Sequence, residues 1–214
     1  MNRLRRKTST EKGPNVPASG ACERVDLPAT AAWRHLDART GFEVLFLSRE
    51  ADGYFFEGYT AAVEEGEAWA VRYAVTLDPG WTTSSAYVIG RSALGEHDVR
   101  LESDGDGAWL VDGNPMPQLT GCLDVDLEAS ACTNAFPVHR LGLEVGQAAE
   151  APAAYVRAQD LGVERLEQSY TRLPNDGQHA RYHYVAPSFN FRSVLVYDEF
   201  GLVLDYPGIA ARTA

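Results

Sequence analysis

Ala68-Trp69-Ala70-Val71-Arg72-Tyr73-Ala74-Val75-Thr76-Leu77 decides the fold class. Its large apolar side chains, Trp69, Val71, Tyr73, Val75 and Leu77, recur at every second position, with small or polar residues between them. Successive side chains of an extended chain point to opposite faces, so this spacing describes a strand with one face buried. Phe189, Phe191, Ser193, Leu195 and Tyr197 repeat the pattern. Shorter runs rich in β-branched and aromatic residues lie at Phe42–Leu47, Tyr54–Val63, Trp81–Ile89, Val99–Glu102 and Trp109–Val111. Turn residues separate them at hairpin distances. Asp104-Gly105-Asp106-Gly107 and Asp198-Glu199-Phe200-Gly201 offer the left-handed backbone angles that tight turns need. Many short strands so spaced predict a mainly β domain: a sandwich, a barrel or a rolled antiparallel sheet. One segment resists. Val163, Leu166, Tyr170 and Leu173 fall at helical spacing behind Asp160, a residue that can cap a helix, and the periodicity favours a helix there.

The 214 residues fit one domain with a tail. Residues 1–31 are rich in Ser, Thr, Pro, Gly and Ala, with too few large apolar side chains to offset the entropy of ordering, so a disordered tail is expected there. Residues 32–214 are expected to form the folded domain. The net charge of −11 is unevenly spread. The tail holds six basic and three acidic residues, which leaves 13 basic and 27 acidic for the domain. So acidic a surface repels phosphate backbones and excludes nucleic acid as a partner of the folded part. Nothing approaches the ~20 apolar residues of a membrane helix, and no apolar segment follows the basic start to make a secretory signal. A cytoplasmic location is the expectation. Cys22, Cys122 and Cys132 form no CxxC pair, so buried free thiols are expected, with a Cys122–Cys132 bridge as the alternative.

Cys122-Leu-Asp-Val-Asp-Leu127 is the stretch most charged with chemistry. As a strand it sets Leu123, Val125 and Leu127 on one face and Asp124 and Asp126 on the other, their Cα atoms ~6.5–7 Å apart. Both carboxyls can then reach one ligand. Retaining glycosidases hold their pair at ~5–5.5 Å, so an acid–base role stays open beside the plainer reading of two solvated or arginine-paired aspartates. Thr133-Asn-Ala-Phe-Pro-Val-His-Arg-Leu141 reads as a turn followed by a strand. Thr133 and Asn134 can bond nearby backbone, and Pro137 marks a strand start or edge. His139 then shares a face with Leu141 and Leu143 and reads as a core histidine. Arg140 lies on the other face, where it would meet Asp124 or Asp126 if the two strands adjoin. No GxSxG, HExxH or Walker loop is present, and His179 and His183, four apart, stand in a segment that is not helical. No catalytic residue, metal ligand or cofactor is assigned.

Gly121-Cys-Leu-Asp-Val-Asp-Leu127 and Thr133–Leu141, with Gln168-Ser-Tyr-Thr-Arg-Leu173, Tyr182-His-Tyr184 and Val196-Tyr-Asp-Glu-Phe-Gly-Leu-Val-Leu-Asp-Tyr-Pro-Gly208, resemble a bacterial family described as glycolipid-binding. Trp33, Val71–Tyr73 and Gly107-Ala-Trp109 fit it too, so the resemblance spans Trp33 to Arg212. The chain departs from the family pattern at Ala131, Cys132, Phe136 and His139. The resemblance implies a spiral β-roll, similar in shape to bacterial lipoprotein carriers with their half-open apolar cavity. It also implies a strand at Gln168–Leu173. The function it implies is non-catalytic binding of an amphipathic, glycolipid-like molecule. Asp124, Asp126, Thr133, Asn134 and Arg140 are the densest polar groups bordering apolar strands, and they are the candidate ligand-binding residues. Their mixture of acceptors and donors suits a sugar better than a phosphate, because two carboxylates repel an anion. Two rivals are a hydrolase or isomerase using Asp124 and Asp126, and an acidic module that recruits a protein.

Overall fold

The computed structural model describes residues 27–37 and 39–214. Its first half is a run of hairpins: β1 (Thr30–His35), β2 (Thr40–Glu50), β3 (Gly53–Glu64), β4 (Glu67–Leu77), β5 (Thr83–Ser92), β6 (Gly95–Ser103), β7 (Trp109–Val111) and β8 (Asn114–Pro115). Next come β9 (Asp124–Leu127), the helix α1 (Ala135–Leu141), β10 (Ala148–Glu150), β11 (Ala153–Val156) and β12 (Val163–Leu166). The second half closes with β13 (Ser169–Asp176), β14 (His179–Ala186), β15 (Phe191–Tyr197), β16 (Val203–Tyr206) and β17 (Ala210–Arg212).

Fourteen strands form one sheet, ordered β10-β13-β14-β15-β16-β17-β1-β2-β3-β4-β5-β6-β7-β8, while β12, β11 and β9 form a second. Every pairing in the large sheet is antiparallel, and β17 lies against β1 with Arg212 opposite Trp33. The first and last strands thus meet in mid-sheet and join two runs of hairpins. A twisted sheet this wide curls, and here it rolls around the small one. On one side Trp33, Leu45, Phe56 and Tyr73 pack in a core with Leu119, Val125 and Phe136. On the other, Tyr170, Tyr182, Leu195 and Tyr197 pack with Val138, Tyr155 and Leu166. The small sheet and α1 feed both cores. The fold is the expected mainly β roll.

The alternation in β4 is realised as read: Trp69, Val71, Tyr73, Val75 and Leu77 are all buried. The Asp104 turn is also local chemistry, its Oδ1 accepting the N–H groups of Asp106 and Ala108 at 2.9 Å. The expected boundary at residue 31 falls inside β1, where Ala31 and Trp33 are buried and Leu27 packs against the core. What was expected of residues 1–26, Cys22 among them, lies outside the described residues.

Two local expectations are corrected. The helix favoured for the 160–173 segment is instead the strand β12 and the start of β13. Asp160 caps a turn, accepting the Gly162 N–H at 2.9 Å, and cross-strand pairing of Leu166 with Ala153 and of Tyr170 with Tyr184 overrides the helical spacing. The strand implied at Gln168–Leu173 is present from Ser169 onward. Conversely, the strand expected after Pro137 is α1. Pro137 sits in the first helical turn, where a missing N–H costs nothing, and Gly142 ends the helix at φ 53°. His139 therefore lies on a helix. Its ring stacks on Trp81 with centroids 3.6 Å apart, and burial pushes its pKa down to about 4, so it is a neutral core histidine whose Nε2 has no hydrogen-bond partner among the described residues.

Cys122 and Cys132 are both free and buried. Burial pushes the Cys122 thiol up to about 11 and holds Cys132 well above the ordinary thiol range, so neither supplies thiolate near neutral pH. In the native protein both are expected to resist an aromatic disulfide reagent, and to react once unfolded without reductant. Thiols still blocked after unfolding would reveal a bridge.

Candidate functional site

Asp124 and Asp126 stand on β9, which is buried along its whole length. One edge of β9 pairs in parallel with β11, setting Asp126 opposite Tyr155. The N–H groups of its other edge need acceptors inside the core, and hydroxyls supply them. Val125 N–H donates to Thr83 Oγ1 at 3.0 Å, and Leu127 N–H to Thr133 Oγ1 at 3.3 Å.

The two aspartates do not face solvent, as one reading of the alternation had it: their exposures are 1% and 7%. Nor do they act as a pair. Asp124 is held by the fork of Arg140, Nε to Oδ1 at 3.0 Å and Nη2 to Oδ2 at 2.5 Å. This is the ion pair expected from the sequence, but Arg140 comes from α1 rather than a neighbouring strand, and the pair is interior. Burial pushes the Asp124 carboxyl up, and the Arg140 fork pulls it back. Asp126 has no such cation. Thr133 Oγ1 donates to its Oδ1 at 2.9 Å, and no other donor among the described residues reaches the carboxyl. Burial pushes it up to about 6, against the Thr133 hydrogen bond, and the nearby Asp124 charge adds to the rise.

Asp126 borders a cavity of about 260 Å³ between the small sheet and the second half of the large one. Tyr184 of β14, Phe191 of β15 and Tyr206 of β16 form one wall, and Tyr155 and Leu166 another. Arg39, Glu128, Ser130 and Asn134 complete the polar lining, and half-exposed Phe189 sits against Tyr155, ring centroids 5.3 Å apart. Asn134 is aimed by its neighbours. Its Oδ1 accepts the Tyr170 hydroxyl at 2.9 Å and its backbone carbonyl the Tyr197 hydroxyl at 3.2 Å, which leaves its NH₂ without an acceptor among the described residues. Arg39 donates from Nη1 to the Glu128 carbonyl at 3.1 Å, while its buried Nε lacks a hydrogen-bond partner.

Of the five residues singled out in the sequence, Asp126 and Asn134 line this cavity and Thr133 stands behind Asp126. Asp124 and Arg140 are bound to each other and do not line it. The cavity mixes an acceptor, donors and aromatic faces, and it falls just below the ~300 Å³ at which pockets for drug-sized ligands begin. One ring-sized polar group fits that space, and an acyl chain as well would not.

A further buried carboxylate, unmarked in the sequence, holds the turn that leads into the site. Glu43 of β2 is fully buried. Its Oε1 accepts from Tyr73 at 2.6 Å and from Ser130 Oγ at 2.5 Å, and its Oε2 accepts the Ala131 N–H at 2.7 Å. Tyr73 reaches it across β3 because Gly58 lies beneath the ring, where a Cβ would stand 1.9 Å from Tyr73 Cζ. The clamp pins the turn from Ser130 to Cys132 that leads into Thr133 and Asn134.

The model of a family described as "Putative glycolipid-binding" matches residues 30–212. A crystal structure of a DUF1089 family protein from Pseudomonas aeruginosa superposes with a TM-score of 0.68 at 31% identity, covering 93% of this chain and 100% of that one. A β-barrel-like protein of a domain of unknown function, DUF1849, from Brucella abortus gives a TM-score of 0.46 at 10% identity over 86% of this chain and 92% of that one. No curated protein matches.

Proposed function

Since the chain belongs to the family described as "Putative glycolipid-binding", we propose that it binds a glycolipid-like molecule by its hydroxylated headgroup in the cavity beside Asp126. The observation that carries this reading is the state of Asp126 itself. A buried carboxylate with one hydrogen bond and no cation costs the fold stability unless a ligand uses it. A sugar hydroxyl donates to it, the Asn134 NH₂ and Arg39 donate to sugar oxygens, and the tyrosine rings cover the apolar face of the ring. The acyl part leaves past Phe189 at the mouth. Asp124 is held by Arg140 and does not line the cavity, so the two aspartates do not act there as an acid–base pair, which favours binding over hydrolysis by that pair. Because Cys122 and Cys132 are free, the same reading keeps the chain in the reducing cytoplasm.

Asp126→Asn separates ligand binding from folding. The folded Asp126 holds its proton up to about pH 6, above the unfolded value, so its contribution to stability is present in acid and lost as pH rises through 6. At pH 8 the Asn variant is therefore expected to be more stable than wild type, by up to ~2–3 kcal/mol. It should nonetheless bind octyl glucoside, below its micelle concentration, more weakly by about tenfold, the scale of a lost hydrogen bond to a charged group. Wild-type affinity should fall as pH drops through about 6, and that of the variant should not. Calorimetry and thermal melting read both quantities. Equal binding by the two proteins, or no binding by wild type to this probe or to lipids recovered from its own organic extract, defeats the proposal.

A further inference from the structure

The cavity beside Asp126 keeps a negative charge that the protein does not answer. Thr133 gives Asp126 its one hydrogen bond, and Asp126 forms no ion pair among the described residues. Glu128, a second carboxylate of the lining, accepts the Ala158 N–H with Oε2 at 2.8 Å and is likewise without an ion pair there. Arg39 is the cation of the lining, and its charge is directed elsewhere. Its Nη1 donates to the Glu128 carbonyl, and its Nε lies 3.9 Å from Glu64, which is outside the cavity. Aromatic rings surround the unanswered charge. Tyr184, Phe191 and Tyr206 pack on one another with centroids 5.9 to 6.1 Å apart and planes tilted by 58° to 80°. Tyr155 and Phe189 add a second tilted pair, at 5.3 Å and 56°. Burial, and after it the Asp126 charge, raise the pKa of the Tyr184 and Tyr206 hydroxyls, so the field of the carboxylate reaches that wall.

We propose that the headgroup held here carries a protonated amine, as an amino sugar does, with the ammonium seated on Asp126 among these rings; this rests on the reading of the cavity as the ligand site. A neutral hydroxyl that donates to Asp126 leaves a full charge buried, whereas an ammonium cancels it. Tilted rings around an unpaired carboxylate also suit an organic ammonium, because the negative faces of aromatic rings attract a cation that has shed its water. An anionic headgroup is opposed by the same groups, since Asp126 and Glu128 outnumber Arg39 in the lining. The sugar ring is needed as well as the charge. The Asn134 NH₂ has no acceptor among the described residues, and the buried Nε of Arg39 has no hydrogen-bond partner. A bare alkylammonium leaves both donors unused, whereas hydroxyl and ring oxygens accept from them. The cavity of about 260 Å³ holds one such ring.

Calorimetry of the full chain with octyl amphiphiles below their micelle concentrations, near neutral pH and at physiological ionic strength, tests the proposal. Under these conditions Asp126 is mostly ionised and a sugar amine mostly protonated. Wild type should bind octyl glucosaminide about tenfold more tightly than octyl glucoside, the scale of one close charge pair shielded from water. Octyl N-acetylglucosaminide, which keeps the ring and loses the charge, should give up that advantage. Asp126→Asn should bind the amine and octyl glucoside alike, which separates the site from a general attraction of cations to an acidic protein. Phe191→Leu keeps an apolar wall without a π face and should cut the amine-to-glucoside preference about threefold. Because the preference is a ratio taken within each variant, a loss of folded protein does not move it. Octyltrimethylammonium, charged but without a ring, should bind more weakly than the glucosaminide. The proposal is overturned if wild type shows no preference for the amine, if the preference survives Asp126→Asn or Phe191→Leu at full size, or if octyltrimethylammonium binds most tightly. If octyl glucoside binds and the amine gains nothing, only the ammonium is lost and the cavity reading stands; if no probe binds, both fall.

Discussion

Glu43→Ala is expected to cost ~3–5 kcal/mol of folding stability, the range found when one member of a buried charged network is removed. The Tyr73 hydroxyl and the Ala131 N–H would lose their acceptor in a region closed to water, and the Ser130 hydroxyl would keep only the Tyr73 oxygen at 3.1 Å. For a domain of this size that corresponds to a fall in melting temperature of roughly 8–15 °C. Glu43→Gln should cost less, since its carbonyl still accepts two bonds, but its NH₂ then meets the Ala131 N–H, donor against donor. Burial holds the Glu43 carboxyl above its ordinary range. Its contribution is therefore greatest in acid and is lost as pH rises through the folded pKa, so the deficit of the Gln variant should shrink from pH 5 to pH 8. Urea unfolding of both variants at the two pH values measures this. A cost below ~1 kcal/mol for Glu43→Ala would mean that the turn from Ser130 to Cys132 is held by packing alone.

Glu43 also shows where the sequence falls silent. In Phe42-Glu43-Val44-Leu45-Phe46-Leu47 both parities are apolar, so alternation identifies a strand without saying which face is inside. The larger side chains, Phe42 and Phe46, are on the outer face, and the core face carries Glu43, Leu45 and Leu47. Only the partners make sense of a carboxylate there, and they lie 30 and 87 positions away. What was legible was local. The period of two in β4 and the aspartate-glycine turn after β6 depend on neighbours within a few residues. Asp124, Asp126, Thr133, Asn134 and Arg140 stood out because polar groups crowd between apolar strands, yet which of them faces the cavity depends on α1. A seven-residue helix with a proline in its first turn leaves little periodic signal. Arg39, Ser130 and the tyrosines of β14 and β16 reach the cavity only through the pairing of distant strands, and no spacing in the sequence marks them.

The division of labour between the two aspartates leads to the other large effect. Arg140→Ala leaves Asp124 buried with no partner, and it is expected to cost ~3–5 kcal/mol at neutral pH. Arg140→Lys should recover only part of that, since an ammonium cannot span both carboxylate oxygens as the guanidinium does at 3.0 and 2.5 Å. The loss should ease in acid. Burial already pushes the Asp124 carboxyl up, and without the Arg140 charge it rises further, so the variant gains stability as pH falls and Asp124 takes a proton. Exchanging both residues, Asp124→Val with Arg140→Met, should lie within ~1 kcal/mol of wild type, because apolar replacement of a buried ion pair avoids the cost of desolvating it. Such a double variant keeps Asp126, Thr133 and Asn134 in place, so it should still bind octyl glucoside. If it folds normally but no longer binds, Asp124 and Arg140 serve the ligand directly. A single-variant cost below ~1 kcal/mol would instead show that the pair behaves like a hydrated surface bridge.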